Sequence, residues 1–208
     1  MGPEVDSSFG SKVDYSPRSS PITRPEIYLI KPGSLLRDEA GNLLDARSSV
    51  ALVISASRWI IVDTGLKGEE KEILQGLQKL SIRPEEIDTV INTHSHPDHC
   101  GNNYLISRAA VLCPKKEHQI APGVLVMATP GHSLDSISVV VDSDRRVVIS
   151  GDALPTFSNF IKGVPPAFHI DKEMAVKSMS RLEGIAEVVV PGHDRPFSLS
   201  EKRYIDLP

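Results

Sequence analysis

The fold of this chain is decided by six consecutive residues, His94-Ser95-His96-Pro97-Asp98-His99. Four of the six carry imidazole or carboxylate groups, which bind zinc and similar ions at roughly 2.0 to 2.2 Å. Three more residues of these types each follow a glycine: His132 after Gly131, Asp152 after Gly151 and His193 after Gly192. Five of the seven histidines in the 208-residue chain therefore fall in one candidate ligand set, and only His118 and His169 lie outside it.

The spacing within the six-residue run predicts two metal positions. His94 and His96 are two residues apart, so an extended backbone points both rings the same way. Asp98 and His99 are adjacent, at an expected helix start, and cannot easily face the same point as the first pair. One short loop can therefore bind two ions, with a pair of ligands for each.

The later residues can complete both metal positions. His132 can join the first pair and His193 the second, while the two carboxylate oxygens of Asp152 can bridge both ions. Structural zinc sites are mostly closed and rich in thiolates. Here Cys100 and Cys113 are not at metal-binding spacing. The imidazole and carboxylate ligands therefore favour a catalytic site with open positions.

These ordered motifs resemble the metallo-β-lactamase superfamily over about residues 26 to 198. The resemblance implies an α/β fold, a four-layer αβ/βα sandwich with a dinuclear site at one edge. It implies a first metal on His94, His96 and His132, a second on Asp98, His99 and His193, and Asp152 between them. Asp63 matches the early aspartate of the family, and the resemblance implies that it orients the histidine loop.

Departures from individual branches narrow the resemblance. At the position of Asp152, zinc β-lactamases generally carry a cysteine or lack the carboxylate. At the position of His96, an iron-binding flavoprotein branch usually has glutamate. Large nucleic-acid-cutting relatives carry an inserted domain, and glyoxalase II adds a helical one; the chain has no room for either. Residues 128–132, 136–141 and 188–193 are closest in style to a compact branch associated with RNA cleavage.

Apolar runs rich in valine and isoleucine predict the strands, and every candidate ligand lies just past the C-terminal end of such a run. We predict strands at 26–30, 49–55, 58–62, 88–93, 124–129, 136–141, 147–150 and 188–190, with helices at 69–80, 98–106 and 171–182. This order favours two sheets packed face to face with helices outside. The Ser- and Pro-rich residues 1–25 are predicted to be a flexible N-terminal arm before a single domain at 26–208.

Charge and composition do not decide between a small-molecule substrate and RNA. A net charge of −4 gives no general attraction for nucleic acid or anionic membranes. Two bound dications would nevertheless reverse the local sign, so RNA is not excluded. We expect no membrane partner, because no run approaches the ~18 to 20 apolar residues of a spanning helix. A cytoplasmic location is expected, and a homodimer is considered without support from the sequence.

The sequence predicts a dinuclear metal-dependent hydrolase that uses a metal-bridging hydroxide on a small-molecule ester, thioester or lactone. An RNA phosphodiesterase with the same site is the alternative, and a non-catalytic metal-binding protein is a third hypothesis. The nitrogen-rich ligands favour two zinc ions, with iron or manganese as alternatives. Asp98 is expected to orient the nucleophile, and His169 or His118 to protonate the leaving group.

Overall fold

The computed structural model describes residues 24–112 and 117–208. The strands are β1 Glu26–Lys31, β2 Ser34–Arg37, β3 Leu43–Arg47, β4 Val50–Ser55, β5 Arg58–Val62, β6 Thr89–Ile91, β7 Ala110–Leu112, β8 His118–Ala121, β9 Val124–Ala128, β10 Ile137–Asp142, β11 Arg146–Gly151, β12 Val188–Pro191, β13 Phe197–Ser198 and β14 Arg203–Tyr204. The α-helices are α1 Glu70–Lys79, α2 Pro97–Cys100, α3 Phe157–Lys162 and α4 Lys172–Glu183, with 3-10 turns at Pro84–Glu86 and Asn103–Ile106.

Two large sheets form the body of the protein. One has five strands in the order β1-β4-β5-β6-β7, and the other has seven in the order β14-β13-β12-β11-β10-β9-β8. β4 and β5 pair as the antiparallel hairpin that the sequence predicts, whereas β5–β6 and β11–β12 pair in parallel. β2 and β3 pair only with each other, as a separate two-stranded hairpin.

Apolar side chains on both faces of the sheets explain the layer order. All of β4 is buried, because Val53 faces the seven-stranded sheet and Leu52 faces the opposite way. Leu52 lies in a cluster with Ile73 and Leu77 of α1. Strands buried on both faces read as continuous apolar runs rather than as alternating patterns.

The outer face of the seven-stranded sheet is covered in the same way. Val148 and Val189 pack there with Met179 and Leu182 of α4, and the aromatic rings of α3 lie against the same cluster. The four layers are therefore α1, the five-stranded sheet, the seven-stranded sheet, and α3 with α4. The predicted αβ/βα sandwich is confirmed.

Several local predictions differ from the structure. The helix predicted over 98–106 is divided into α2 and a 3-10 turn, because Asn102 leaves helical geometry (φ −118°, ψ 23°). The side-chain amide of Asn102 donates hydrogen bonds to the backbone oxygens of Thr64 and Leu66, both at 2.8 Å. The segment between the strands predicted at 26–30 and 49–55 forms the β2–β3 hairpin, for which no element was predicted, and α3 was not predicted either.

Two predictions fall on residues that the structure does not describe. The flexible arm at 1–25 lies there except for Arg24 and Pro25, and so does Cys113. Within residues 24–112 and 117–208, no helix has the length and apolar character needed to cross a membrane.

Candidate metal centre

All seven candidate ligands are brought to one edge of the sandwich by the ends of strands. His94 follows β6, His132 follows β9, Asp152 directly follows β11 and His193 follows β12. Residues just beyond the C-terminal ends of neighbouring strands meet at the same edge, where loops on a rigid scaffold can carry a site. The expectation that each ligand follows an apolar run is confirmed.

The first group consists of three histidines whose ring nitrogens converge. Nδ1 of His96 lies 3.0 Å from Nε2 of His94 and 3.0 Å from Nε2 of His132. The three ligand nitrogens lie within 4.8 Å of one another, so one ion could contact all of them. His94 and His132 are buried, whereas His96 is exposed.

The second group consists of Asp98, His99 and His193. Oδ2 of Asp98 lies 3.6 Å from Nε2 of His193 and 3.9 Å from Nε2 of His99. The ligand atoms of this group also lie within 4.8 Å of one another. His99 and His193 are buried, and Asp98 is partly exposed.

Asp152 lies between the two groups. Its Oδ1 is 3.4 Å from Nε2 of His99 and 3.1 Å from Nε2 of His193, in the second group. Its Oδ2 is 3.4 Å from Nε2 of His132, in the first. Nε2 of His99 and Oδ1 of Asp152 are fully buried and have no hydrogen-bond partner among the residues that the structure describes. Because buried polar atoms are normally paired, these two atoms fit a bound cation.

Asp63 is linked to His99 and Thr93 by three hydrogen bonds. Its carboxylate accepts hydrogen bonds from Nδ1 of His99 at 2.7 Å, and from the backbone nitrogen and Oγ1 of Thr93 at 2.7 and 2.8 Å. Asp63 itself lies in the left-handed region at φ 58°. Hydrogen bonds of this kind fix the ring orientation and tautomer of a metal-binding histidine.

Two other histidines are oriented by backbone carbonyls. Nδ1 of His132 donates to the oxygen of Phe168 at 2.7 Å, and Nδ1 of His193 donates to the oxygen of Arg47 at 3.0 Å. Each bond fixes the ring with Nε2 facing the cluster, where it is available to a metal ion. The sequence could not reveal these partners, because every residue type supplies a backbone carbonyl.

Burial favours the neutral form of His94 and His96 in the first group. It lowers the pKa of His94 to about 2, with the neighbouring charge of His99 acting in the same direction. Burial and the nearby His132 also lower the pKa of His96. Neutral imidazoles present a lone pair, which is the form that binds a metal.

In the second group, neighbouring carboxylates raise the pKa of His99. Burial acts to lower the pKa of His99, but Asp63 and Asp152 outweigh it and raise that pKa well above its ordinary value. Burial acts to raise the pKa of Asp152, but its hydrogen bond to His193 and the neighbouring imidazole of His99 hold that pKa well below the usual range. The anionic form of Asp152 is therefore favoured, and this is the form that binds a metal.

Two glycines are required by close packing at the ligand loops. A Cβ on Gly192 would lie 2.1 Å from Oδ1 of Asp152. A Cβ on Gly131 would lie 2.2 Å from the backbone nitrogen of Ala175 in α4, and Gly131 also has φ +134°. Any larger residue at either position would displace a ligand loop.

A cavity of about 1080 Å³ opens onto the ligands. One wall is formed by the β2–β3 hairpin and the other by α3 with the residues that follow it. His169 and His118, the candidate leaving-group acids, are not among the described residues that line it. His169 donates to the oxygen of Pro166 at 2.7 Å, and His118 begins the edge strand β8.

Known proteins share both this sequence pattern and this fold. Residues 44–122 match the sequence profile of the metallo-beta-lactamase superfamily. A Methanocaldococcus jannaschii protein named probable metallo-hydrolase is 35% identical over 179 residues, covering 81% of this chain and 86% of that protein. The chain belongs to the metallo-beta-lactamase superfamily.

Other superfamily members extend the comparison. Metallo-beta-lactamase domain-containing protein 1 of Mus musculus is 30% identical over 194 residues, covering 82% of this chain and 74% of that protein. The solved structure of a quorum-quenching N-acyl homoserine lactone hydrolase superposes with a TM-score of 0.69 at 23% identity, over 84% of this chain and 94% of that chain. Membership identifies the protein as a metallo-beta-lactamase superfamily hydrolase, and its histidine and aspartate clusters have the composition and spacing to hold metal.

Proposed function

We propose that the protein hydrolyses an ester, thioester or lactone of a small molecule with the help of two metal ions. The first ion would be held by His94, His96 and His132, and the second by Asp98, His99 and His193. Asp152 would contact both. The observation that carries this proposal is that the Asp152 carboxylate reaches both groups: Oδ1 and Oδ2 lie 3.1 and 3.2 Å from Nε2 of His193, and Oδ2 also lies 3.4 Å from Nε2 of His132.

The residues around the site support hydrolysis rather than simple metal storage. Two bound divalent cations polarise a substrate oxygen and lower the pKa of water, so that a nucleophile is available near neutral pH. Asp98 is partly exposed and lines the cavity, so its carboxylate can orient that nucleophile and hold its proton. Asp63 and the carbonyls of Phe168 and Arg47 keep the histidines in position.

A carbonyl centre is the proposed point of attack. The cavity wall offers Leu35, Leu43, Val164 and Phe168, which suit the acyl part of a small molecule. The structural neighbour named as a lactone hydrolase supports the same choice, because it has the same fold. We propose zinc in both positions on the basis of the nitrogen-rich ligands.

The test is hydrolysis by protein purified without chelator, with its metal content measured by elemental analysis. A thioester, a lactone, a phosphodiester and single-stranded RNA are offered in parallel to the wild type and to His96→Gln. We expect turnover of a carbonyl substrate that His96→Gln loses. Cleavage of RNA or the phosphodiester alone would favour the phosphodiesterase instead. No turnover at two metals per chain would indicate a metal-binding protein without this activity.

A further inference from the structure

The charged residues of the cavity divide into those already engaged and those that are not. Among the described lining residues, the carboxylates are Asp98, Asp152 and Asp194. The first two belong to the metal centre. Asp194 accepts hydrogen bonds from the backbone nitrogens of Phe157 and Arg195 and from the hydroxyl of Tyr204. No lining carboxylate is therefore left for a substrate.

The same described lining contains an arginine, Arg37, and a lysine, Lys162, and these two residues lie on different walls. Arg37 ends β2, and Lys162 ends α3. Neither forms an ion pair with a described carboxylate. One guanidinium nitrogen of Arg37 donates to the oxygen of Gly41 at 2.8 Å, which fixes the side chain to the hairpin and leaves its other donors available.

Apolar surface lies beside these cations. Leu43, Val164 and Phe168 line the cavity and are 39%, 42% and 59% exposed. Exposed apolar side chains in a concave site are typical of ligand binding. The cavity, at about 1080 Å³, is also larger than a small ring or a short acyl group would need.

We infer that the substrate is amphiphilic, with an apolar segment against Leu43, Val164 and Phe168 and an anionic group bound by Arg37 and Lys162. This inference rests on the proposed hydrolysis of an ester, thioester or lactone. It adds that Arg37 and Lys162 determine specificity, because both side chains are exposed in the cavity lining and can bind an anion through charge-assisted hydrogen bonds. The overall charge of −4 would otherwise disfavour such a substrate.

The test compares neutral and anionic substrates of equal length. Octanoyl thioesters are compared with thioesters that carry a terminal carboxylate, either on the acyl chain or on the thiol. We expect kcat/KM about tenfold higher for an anionic form in one of these two arms. Arg37→Gln and Lys162→Gln should each remove about tenfold from that value through KM, and should change the neutral thioester less than about twofold.

The matched control is Lys177→Gln, which removes an exposed lysine from the outer face of α4, outside the cavity lining. It should leave both substrates unchanged. The inference is overturned if neither anionic form is preferred, or if the two cavity variants reduce neutral and anionic turnover alike. The preference should also shrink in high salt, which screens exposed charges.

A binding measurement separates this inference from the proposed activity. If no thioester is hydrolysed, the activity proposal fails, but calorimetry can still compare octanoate with the dicarboxylate suberate. Tighter binding of suberate by about tenfold, lost in the Arg37→Gln/Lys162→Gln double variant, would support the anion site. Equal binding of both acids by the wild type would overturn it.

Discussion

At the scale of single residues, neighbouring carboxylates in the candidate metal centre have different proposed roles. Asp98 is a proposed ligand and also faces the cavity, whereas Asp63 is absent from the described cavity lining and hydrogen-bonds His99 and Thr93. Their substitutions should therefore be distinguishable by measurement.

Asp98→Asn should abolish most hydrolysis while the protein stays folded. The amide cannot hold the proton of the nucleophile, so we expect kcat to fall by about 100-fold or more. Asp98 is only partly buried, and the unfolding temperature should stay near that of the wild type. Asp144→Asn, at a carboxylate that is 96% exposed, serves as the control. Wild-type turnover by Asp98→Asn would contradict the assigned role.

Asp63→Asn should weaken metal binding without touching a ligand. An amide cannot accept all three of the hydrogen bonds made by Asp63, so His99 would lose its orientation. We expect metal affinity to fall about 10- to 100-fold in a competition titration with a chromophoric chelator.

Asp88→Asn is the matched control for that experiment. Asp88 also accepts three hydrogen bonds, from Arg58, Trp59 and Thr89, but at the opposite end of β6 from the ligands. It should lower the free energy of unfolding by about 1–3 kcal/mol and leave metal affinity unchanged. Equal metal affinity in both variants would contradict the role of Asp63.

At the scale of elements, close packing between α4 and the loop that follows β9 controls the position of His132. Gly131→Ala would force its Cβ onto Ala175 at 2.2 Å and would strain a backbone at φ +134°. We expect a loss of about 1–3 kcal/mol or more in unfolding free energy, measured by urea denaturation. Gly184→Ala should be nearly neutral, because its φ is −70° and its nearest neighbour is 3.5 Å away. Similar stability of the two variants would contradict this packing.

Elements also show which parts of the molecule were predictable from sequence. The buried strands and the meeting of the candidate ligands at one edge were predictable, because two-sided apolar strands such as β4 and runs of imidazole leave strong local signals. The cavity walls were not. In the β2–β3 hairpin, Leu36 and Leu44 are 58% and 61% exposed, so no core-facing pattern marks it. α3 has only six residues, which is too short to show helical periodicity.

At the scale of the whole molecule, metal should contribute to the stability of the fold. The ligands come from loops after β6, β9, β11 and β12, which belong to both large sheets. An ion bound to these loops would therefore link the two sheets and stabilise only the folded state.

Chelation should consequently lower the unfolding temperature, and added zinc should restore it. At about 100 times the dissociation constant, a single bound ion would add about 2.7 kcal/mol. Differential scanning calorimetry with and without chelator measures this directly. In His96→Gln the shift should be smaller, since the first group has lost a ligand. A chelator that leaves the wild-type transition unchanged would contradict the link.

The hydrogen bonds that orient His132 and His193 end on main-chain oxygens of the two cavity walls, at Phe168 and Arg47. Those acceptors persist whatever side chain the residue carries. The walls can therefore be diversified by mutation while the reactive centre keeps its supports. A library at Leu43, Val164 and Phe168 should redirect substrate preference far more often than it destroys activity, which makes this protein a suitable scaffold for directed evolution.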